Sequence, residues 1–265
     1  MTSLPSQQHL SDRATGAARA VAIEIVAETG STNADLLARA ASLAGPVLLV
    51  AGSQTAGRGR AGRTWQSAAG ASLTFSLAWK FHRALPQLVG LPLAVGVAIA
   101  DTLQGCGVDA RLKWPNDVLL DGRKLAGILI ETTAAPDGVW TVIGIGMNLA
   151  LPSALAERID SPATALPPLT VTPDELLARL LNGLAEALTS FGVTGLACFT
   201  GRWNALHAWR GEQVVLLDHG QTRQKGVAVG IDDSGRLLID TAGGRVAALS
   251  GDITLRRTGA VPCSS

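Results

Sequence analysis

The chain has 265 residues, of which 47% are hydrophobic and 16% are charged, which is enough apolar material for a sizeable core and one or two domains. Its formal net charge is only +1, so no overall field favours nucleic acid or an acidic membrane, and any anion site must be local. The cysteines and histidines lack metal-ligand or disulfide spacing, which argues against a zinc site or a disulfide framework and fits a reducing cytosol. We expect each histidine to be structural or on the surface; the residues concerned are Cys106, Cys198, Cys263, His9, His82, His207 and His219.

The N-terminal region carries no apolar segment of the kind found in signal peptides. Residues 1–18 are polar and contain several Ala and Ser residues, so we expect a disordered tail there. The longest apolar run, 88–100, is too short to cross a bilayer. We expect it to form a buried helix.

Alternation of apolar and polar residues predicts a mixed α+β domain over residues 19–208. Strands are expected at 18–28, 46–52, 71–80, 109–114, 123–133 and 139–149. Helices are expected after a Ser31 or Thr32 cap, at 86–104, and at 172–191, where Thr172, Pro173 and Glu175 form a capping-box start. The segment 150–171 between them predicts a loop.

The pattern changes after Arg210. Short apolar runs are separated by turn residues at a spacing of about ten residues, which is typical of a small closed β-barrel. Residues 209–258 are therefore expected to form a second, all-β domain.

The segment GRGRAGR at 57–63 combines three glycines with three arginines. Its G-x-G-x-x-G spacing is that of a dinucleotide-binding turn, but a strand is predicted to follow it, whereas that turn must open a helix. The other motifs of a protein kinase or a P-loop are missing, and one copy between strands does not resemble an RGG-type RNA tail. The segment therefore predicts an arginine-loaded loop that closes over a carboxylate or phosphate. Because its three like charges have no carboxylate nearby in sequence, we expect the empty loop to be disordered.

A second polar cluster follows in KWPNDVLLDGRKLAG. Lys113, Asn116 and Asp117 precede one expected strand, while Lys124 and Gly127 lie on the next. A hairpin turn between these strands would bring Lys124 back towards Lys113. Polar residues in apolar strands are costly to bury unless paired, so the cluster indicates a site. A surface hairpin with solvated lysines is the alternative.

Six motifs in this order resemble those of biotin protein ligases, also called biotin–acetyl-CoA-carboxylase ligases. The resemblance covers about residues 20–257, and its motifs are GSTN (30–33), GRGRAGRTW (57–65), KWPND (113–117), RKLAGILIE (123–131), GIGMNL (144–149) and SGDITLR (250–256). It implies a catalytic domain of the class II synthetase and lipoate-ligase type and an SH3-like β-barrel at the C-terminus. Some family members carry an N-terminal winged helix; about twenty residues before the first expected strand leave no room for one, so we expect no repressor function.

The resemblance implies a reaction in two steps. Biotin is first activated with ATP as biotinyl-5′-AMP, and a lysine of a biotin carboxyl carrier protein then takes the acyl group. Joining two anions requires fixed positive charge, and the expected catalytic residues are Lys124, Arg58, Arg60, Asp117 and Lys113. Among these, Asp117 is a candidate for orienting or deprotonating the incoming lysine. The expected substrate-binding residues are Ser31, Thr32, Asn33, Gln54, Gly57, Gly59, Trp65, Asn116, Gly127, Asn148 and Arg256.

Several expectations remain open at this point. Trp65 has a packing role as an alternative, and Arg256 could be a solvated arginine. Mg²⁺ is expected with ATP, held mainly by phosphates and water, so its protein ligands are unassigned. The expected partner is the carrier protein, without nucleic acid or membrane, and the expected form is a cytoplasmic monomer or weak homodimer. A lipoate–protein ligase and a non-catalytic module that binds biotinyl-AMP are the alternative functions.

Overall fold

The computed structural model describes residues 4–159, 161–218, 221–250 and 253–258. The first domain contains seven strands: β1 (Ala22–Thr29), β2 (Val47–Gln54), β3 (Ser72–Phe81), β4 (Arg111–Lys113), β5 (Asp117–Leu120), β6 (Arg123–Ala135) and β7 (Gly138–Asn148). They form one sheet in the order β1-β2-β3-β7-β6-β5-β4. β1 and β2 pair in parallel, and the other neighbouring strands pair antiparallel. The mixed sheet expected from the sequence is confirmed.

In the described residues six α-helices accompany this sheet: α1 (Gln7–Arg13), α2 (Thr32–Arg39), α3 (Leu91–Gln104), α4 (Ser153–Ala156), α5 (Pro173–Thr194) and α6 (Ala197–Leu206). The main core lies between the sheet and the helices α3, α5 and α6. A smaller apolar cluster on another part of the sheet includes Leu36 of α2 and Trp140 of β7. The helices therefore do not cover the strand ends around α2 and β7, and a cavity lies there.

The apolar run after residue 85 forms a buried helix, as expected. By length and composition Leu85–Gln104 could span a membrane, and it is the one such segment in the described part of the chain; 61% of its apolar 18-residue stretch is buried inside the protein. α3 itself begins only at Leu91, because Leu85–Leu88 forms a 3₁₀ turn and Gly90 has a left-handed backbone with φ 88°.

The helix predicted at 172–191 is α5. Thr172 caps it by accepting a hydrogen bond from the Glu175 amide at 3.2 Å, and its leucine face is buried. α6, which the sequence analysis did not predict, follows after Gly195. It buries Phe199, Trp203 and Leu206, whose spacing is helical.

The prediction of a disordered tail over residues 1–18 is wrong for the part from Gln7 onwards. α1 and a 3₁₀ turn at Gly16–Ala20 pack along α5, and Leu10 is fully buried. Asn182 of α5 binds the tail at two backbone atoms, accepting from Thr15 N at 2.9 Å and donating to Arg13 O at 2.9 Å. One buried leucine and these paired backbone groups are enough to order a segment that looks polar overall.

The second domain is a five-stranded antiparallel sheet with β8 (Gln213–Asp218), β9 (Gln221–Ile231), β10 (Leu237–Thr241), β11 (Gly244–Ala248) and β12 (Ile253–Arg257). Its order is β11-β10-β9-β8-β12. Within the described residues β11 and β12 are opposite edges, so the closed SH3-like barrel stays a prediction. Part of the 250–256 motif, at 251–252, lies outside those residues.

The two domains touch through specific hydrogen bonds. Asn204 of α6 binds both backbone groups of Ile231, accepting from N at 2.7 Å and donating to O at 3.1 Å. The Trp114 indole donates to Gly235 O at 3.1 Å. Buried amide and indole groups paired in this way resist separation, because breaking them would leave polar atoms unsatisfied.

Candidate functional site

A cavity of about 610 Å³ lies at the ends of β5, β6 and β7, beneath the arginine loop and beside the start of α2. Its lining includes every residue expected to form the site except Gly57 and Lys113. The structure therefore places expected residues from both domains around one cavity, including Arg256 of β12. The alternative of a solvated surface hairpin around Lys124 is thereby disfavoured.

One carboxylate joins two lysines at the cavity wall. Asp117 Oδ1 lies 2.6 Å from Lys124 Nζ, and Asp117 Oδ2 lies 3.2 Å from Lys113 Nζ. The predicted β5–β6 hairpin produces this arrangement, since it sets Lys124 opposite Leu119, two residues along β5 from Asp117. Burial opposes ionisation of Asp117, but the charges of Lys124 and Lys113 outweigh it and lower its pKa from 3.8 to about 2.

The arginine loop folds as a small hairpin over the cavity. Gly59 N donates to Arg63 O at 2.7 Å and Trp65 N donates to Gly57 O at 2.9 Å. At the tip of the loop Ala61 has a left-handed backbone with φ 54°, which is strained for a residue with a side chain. The loop therefore has a defined hairpin geometry that its glycine content did not indicate.

Both expected loop arginines have partners that are distant in sequence. Arg58 Nη2 lies 2.9 Å from Glu131 Oε1 of β6, and Arg60 Nη1 donates to Asn116 Oδ1 at 3.1 Å. No carboxylate lies near the loop in sequence, but β6 supplies Glu131 from across the cavity. The guanidinium groups are held over the same wall that carries Lys124.

A buried hydrogen-bond network occupies the end of the cavity below α2. Thr32 donates to Gln54 Oε1 from its backbone N at 2.8 Å and from its hydroxyl at 3.1 Å. The hydroxyl also lies 2.6 Å from Ser76 Oγ, which in turn donates to Asn33 Oδ1 at 2.6 Å. Asn33 Nδ2 donates to Glu131 Oε2 at 3.0 Å. Ser31 caps α2, and this fixed set of donors and acceptors can read a small polar edge of a ligand.

The Trp65 indole packs flat against glycines of the sheet. A Cβ at Gly146 would overlap the indole, and a Cβ at Gly127 would come within 3.3 Å of it. Gly144 leaves space for the Asn33 amide in the same way. Trp65 Nε1 is buried and without a hydrogen-bond partner. Trp65 thus both packs against the sheet and forms a cavity wall. Gly57 lies close to the backbone carbonyl of Trp65.

The segment after α4 forms the remaining wall. Lys124 pairs with it through two backbone bonds, accepting at O from Thr164 N at 2.9 Å and donating from N to Pro162 O at 2.9 Å. Asn148 Nδ2 donates to Thr164 O at 2.9 Å, while its buried Oδ1 has no partner. Arg158 from this segment faces the same cavity as Arg256. This segment therefore adds the cation Arg158 to the cavity, and the neighbouring Asn148 offers one unsatisfied acceptor.

The described residues contain no group of three or more His, Cys, Asp or Glu side chains that could hold a metal ion. The carboxylates of Asp117 and Glu131 line or face the cavity but are already bound by basic side chains. The donor set therefore suits an anionic ligand, and any Mg²⁺ would be held chiefly by that ligand's own phosphates.

Comparison with known proteins adds an independent line of evidence. Residues 25–148 match the Biotin/lipoate A/B protein ligase family and residues 211–256 match the Biotin protein ligase C terminal domain. A biotin–[acetyl-CoA-carboxylase] ligase of Mycobacterium tuberculosis is 39% identical over 241 residues, covering 87% of this chain and 88% of the relative. Its Paracoccus denitrificans counterpart is 37% identical over 234 residues, covering 83% and 95%. The chain belongs to the biotin protein ligase family.

A solved member of this ligase family supports the same assignment for the fold. The biotin protein ligase of Aquifex aeolicus in complex with biotin and ATP has a TM-score of 0.74 and 30% identity, covering 89% of this chain and 99% of that one. The resemblance expected from the six sequence motifs is therefore confirmed, together with the α+β class of the fold.

The structure bears on two of the expected roles in this ligase. Lys113 does not line the cavity, because its ammonium group points to Asp117 and to the Trp209 ring. The deprotonating role considered for Asp117 is chemically poor, since a carboxylate with a pKa near 2 is a weak base for an ammonium group. Its orienting role fits the contact with Lys124.

The site also contains residues that were not expected from the sequence, namely Glu131, Ser76, Arg158 and the glycines of β7. A usable signal existed for Glu131, since it is a charged residue at the end of the apolar run AGILI. Gly144 and Gly146 lie inside the quoted GIGMNL motif, and glycines in a strand interior often mark a close approach of another group. Ser76 and Arg158 carried no comparable signal.

Proposed function

We propose that this protein is an ATP-dependent ligase that activates biotin as biotinyl-5′-AMP and transfers it to a lysine of a biotin carboxyl carrier protein. The observation that carries the proposal is that Lys124, which is fixed by Asp117, lines the same cavity as Arg58 and Arg60. The family relatives are named as biotin ligases, and the Aquifex aeolicus relative binds biotin and ATP.

The first step joins two anions. A carboxylate oxygen of biotin attacks the α-phosphorus of ATP, the bond to the β-phosphate bridging oxygen breaks, and pyrophosphate leaves with that electron pair. The two reactants repel each other until fixed cations neutralise their charges. Cations that are already in place need no reorganisation during the reaction. Lys124 is suited to the carboxylate and α-phosphate, and the loop arginines to the phosphate oxygens.

The network below α2 suits the other end of biotin. The ureido group has one carbonyl and two N–H groups, and the rest of the bicycle is apolar. Thr32, Asn33 and Gln54 offer hydroxyl and amide groups in fixed positions, while Trp65 offers an apolar wall. A mostly apolar pocket with few placed polar groups is the usual way to bind such a ligand.

The second step needs a neutral amine. The carrier lysine attacks the acyl carbonyl of biotinyl-AMP, and AMP leaves with the electrons of the mixed-anhydride bond. A cavity wall rich in basic side chains lowers the pKa of an arriving ammonium group, because like charges disfavour its charged form. This electrostatic effect favours the neutral amine without requiring a general base.

Other properties follow from the same proposal. Mg²⁺ would accompany ATP and be bound through its phosphates. We infer a cytoplasmic location, where carrier proteins and ATP occur together, and a monomer or weak homodimer. The carrier is the one macromolecular partner the mechanism requires, without nucleic acid or membrane.

Lipoate–protein ligation is the alternative within the same fold class, and retention of biotinyl-AMP without transfer is another. Incubation with ATP, labelled biotin and a carrier domain should label one carrier lysine, whereas lipoate should give no product. Labelling by lipoate but not biotin, or tight biotinyl-AMP without transfer, would replace the proposal by the corresponding alternative.

A further inference from the structure

Lys113 connects the cavity wall to a tryptophan behind it. Its ammonium group lies 3.2 Å from Asp117 Oδ2 and 5.1 Å from the centre of the Trp209 ring. The other Asp117 oxygen holds Lys124. Asp117 is therefore shared between a lysine that faces the cavity and a lysine that faces the second domain.

Trp209 lies in the linker between α6 and β8 and is only 8% exposed. Arg257 of β12 also approaches the ring, with its Cζ 5.8 Å from the ring centre. Arg257 is itself bound to Glu212 at 3.2 Å. Trp209 Nε1 is buried and without a hydrogen-bond partner, so packing and attraction of the two cations by the indole ring hold this side chain.

The same linker pairs with β4, the strand that carries Lys113. Ala208 N donates to Leu112 O at 2.8 Å, and His207 pairs with Leu112 in a parallel bridge. β4 has only three residues and lies at the edge of the sheet. Its own strand pairing therefore fixes Lys113 weakly, and the linker supplies the additional support.

We propose that Trp209 is a positioning residue for the ligase reaction, which holds Lys113 against Asp117 and thereby fixes Lys124 in the cavity. This inference rests on the proposed function, in which Lys124 neutralises the reacting anions. Trp209 touches no reactant. Through this residue, the correct placement of Lys124 depends on an ordered C-terminal domain.

The physical reason lies in the two oxygens of Asp117. While Lys113 occupies Oδ2, Lys124 is confined to Oδ1. Without Lys113 the carboxylate can rotate or bind Lys124 with both oxygens, which moves the ammonium group away from the reactants. A displacement of about 1 Å at a reacting group can cost up to ~100-fold in rate.

The test compares Trp209→Leu, Trp209→Phe, Lys113→Met and the double variant Trp209→Leu/Lys113→Met in biotin-dependent exchange of pyrophosphate into ATP. We expect Trp209→Leu and Lys113→Met each to lower kcat about 10-fold with little change in the KM for biotin. Trp209→Phe keeps an aromatic face and should retain most of the rate. The double variant should be no slower than either single variant, because both changes break the same chain of contacts.

A pH profile separates positioning from general destabilisation. Lys113→Met and Trp209→Leu remove or release a cation beside Asp117, so protonation of this carboxylate should begin at higher pH. The acid limb of the exchange rate should therefore move to higher pH in both variants, and a loss of folded protein alone would lower the rate at every pH instead.

Two variants serve as matched controls. Trp140→Leu removes another buried indole, one that lies 6.0 Å from Lys80 Nζ in the smaller apolar cluster. Arg245→Gln removes an exposed ion pair to Asp240 within the second domain. Folded protein of both controls should exchange pyrophosphate at the wild-type rate.

Three results would overturn the inference: a wild-type rate in Trp209→Leu, additive losses in the double variant, or equal losses in Trp209→Leu and Trp140→Leu. A wild-type protein that does not exchange pyrophosphate would contradict the proposed function instead. The inference would then be judged by a crystal structure of Trp209→Leu, in which Lys113 released from Asp117 supports it and Lys113 unmoved overturns it.

Discussion

Lys124 Nζ lies 2.6 Å from Asp117 Oδ1, at the wall of the cavity that also carries the loop arginines. This pair fixes a flexible ammonium group in one place and keeps the carboxylate charged. The contact therefore converts a mobile lysine into a preorganised cation, which is the form that stabilises developing charge most effectively.

We expect Lys124→Met to lower the rate of biotinyl-AMP formation by about 10²–10³-fold, the loss typical of removing one preorganised charge-stabilising group. Single-turnover measurement with biotin and ATP checks this. Lys225→Met, which removes an exposed lysine from β9, is the control and should leave the rate unchanged. A normal rate in Lys124→Met would remove this residue from the reaction.

Arg60→Gly should weaken retention of the adenylate. The change removes a cation from the loop together with its hydrogen bond to Asn116, so the loop loses a contact that closes it over the intermediate. Biotinyl-AMP should then escape and label lysines of an added bystander protein. Arg83→Gly, outside the cavity, is the control; if its bystander labelling matched that of Arg60→Gly, the sealing role of the loop would be refuted.

Gly146→Ala should impair ligand binding through Trp65. A Cβ at this position would overlap the indole and push it into the cavity. We expect the affinity for biotinyl-AMP to fall at least about 10-fold, equivalent to ~1.4 kcal/mol. Calorimetry measures this. Gly201→Ala, where a Cβ meets nothing within 4 Å, should bind normally; normal binding by Gly146→Ala as well would show that the Trp65 wall is dispensable.

The stability of the protein should fall in mild acid because of His207. Burial, assisted by the charge of Arg210, lowers the pKa of this imidazole from 6.5 to about 4 in the folded protein. As pH falls below 6.5 the unfolded chain binds a proton at His207 that the folded protein does not bind. The free energy of unfolding therefore decreases down to pH 4 and then levels off. The shift corresponds to about 3 kcal/mol.

Urea unfolding between pH 7 and pH 4 measures this effect. His207→Phe keeps a ring beside Trp203, whose centroid lies 4.8 Å away, but cannot titrate. The pH dependence of the variant should be flatter than that of wild type by the amount given above. Parallel curves for the two proteins would show that folding does not lower the pKa of His207.

The parts of the site that the sequence predicted are those encoded locally. Asp117 and Lys124 meet because one short hairpin joins them, and Thr32 reaches the cavity because the adjacent Ser31 caps α2. The capping signals at Thr172 gave the start of α5 for the same reason. Such features depend on a few neighbouring residues, so a sequence pattern is sufficient.

The parts that it missed depend on pairing across the fold. Glu131 and Arg58 come from different strands and loops, and only the order of the sheet brings them together. Likewise Leu10 is buried because α5 lies beneath it, and no local pattern of the polar tail shows this. Lys113 was expected in the cavity because its sequence neighbours lie there. Its ammonium group instead contacts the Trp209 ring, on the side of Asp117 away from the cavity.

The most direct test of the proposed function is exchange of labelled pyrophosphate into ATP by the purified protein alone. Adenylate formation needs only this chain, biotin, ATP and Mg²⁺, so exchange should appear on addition of biotin without any carrier protein, and lipoate should not replace biotin. Absence of biotin-dependent exchange in protein shown to be folded would contradict the proposal that this cavity activates biotin.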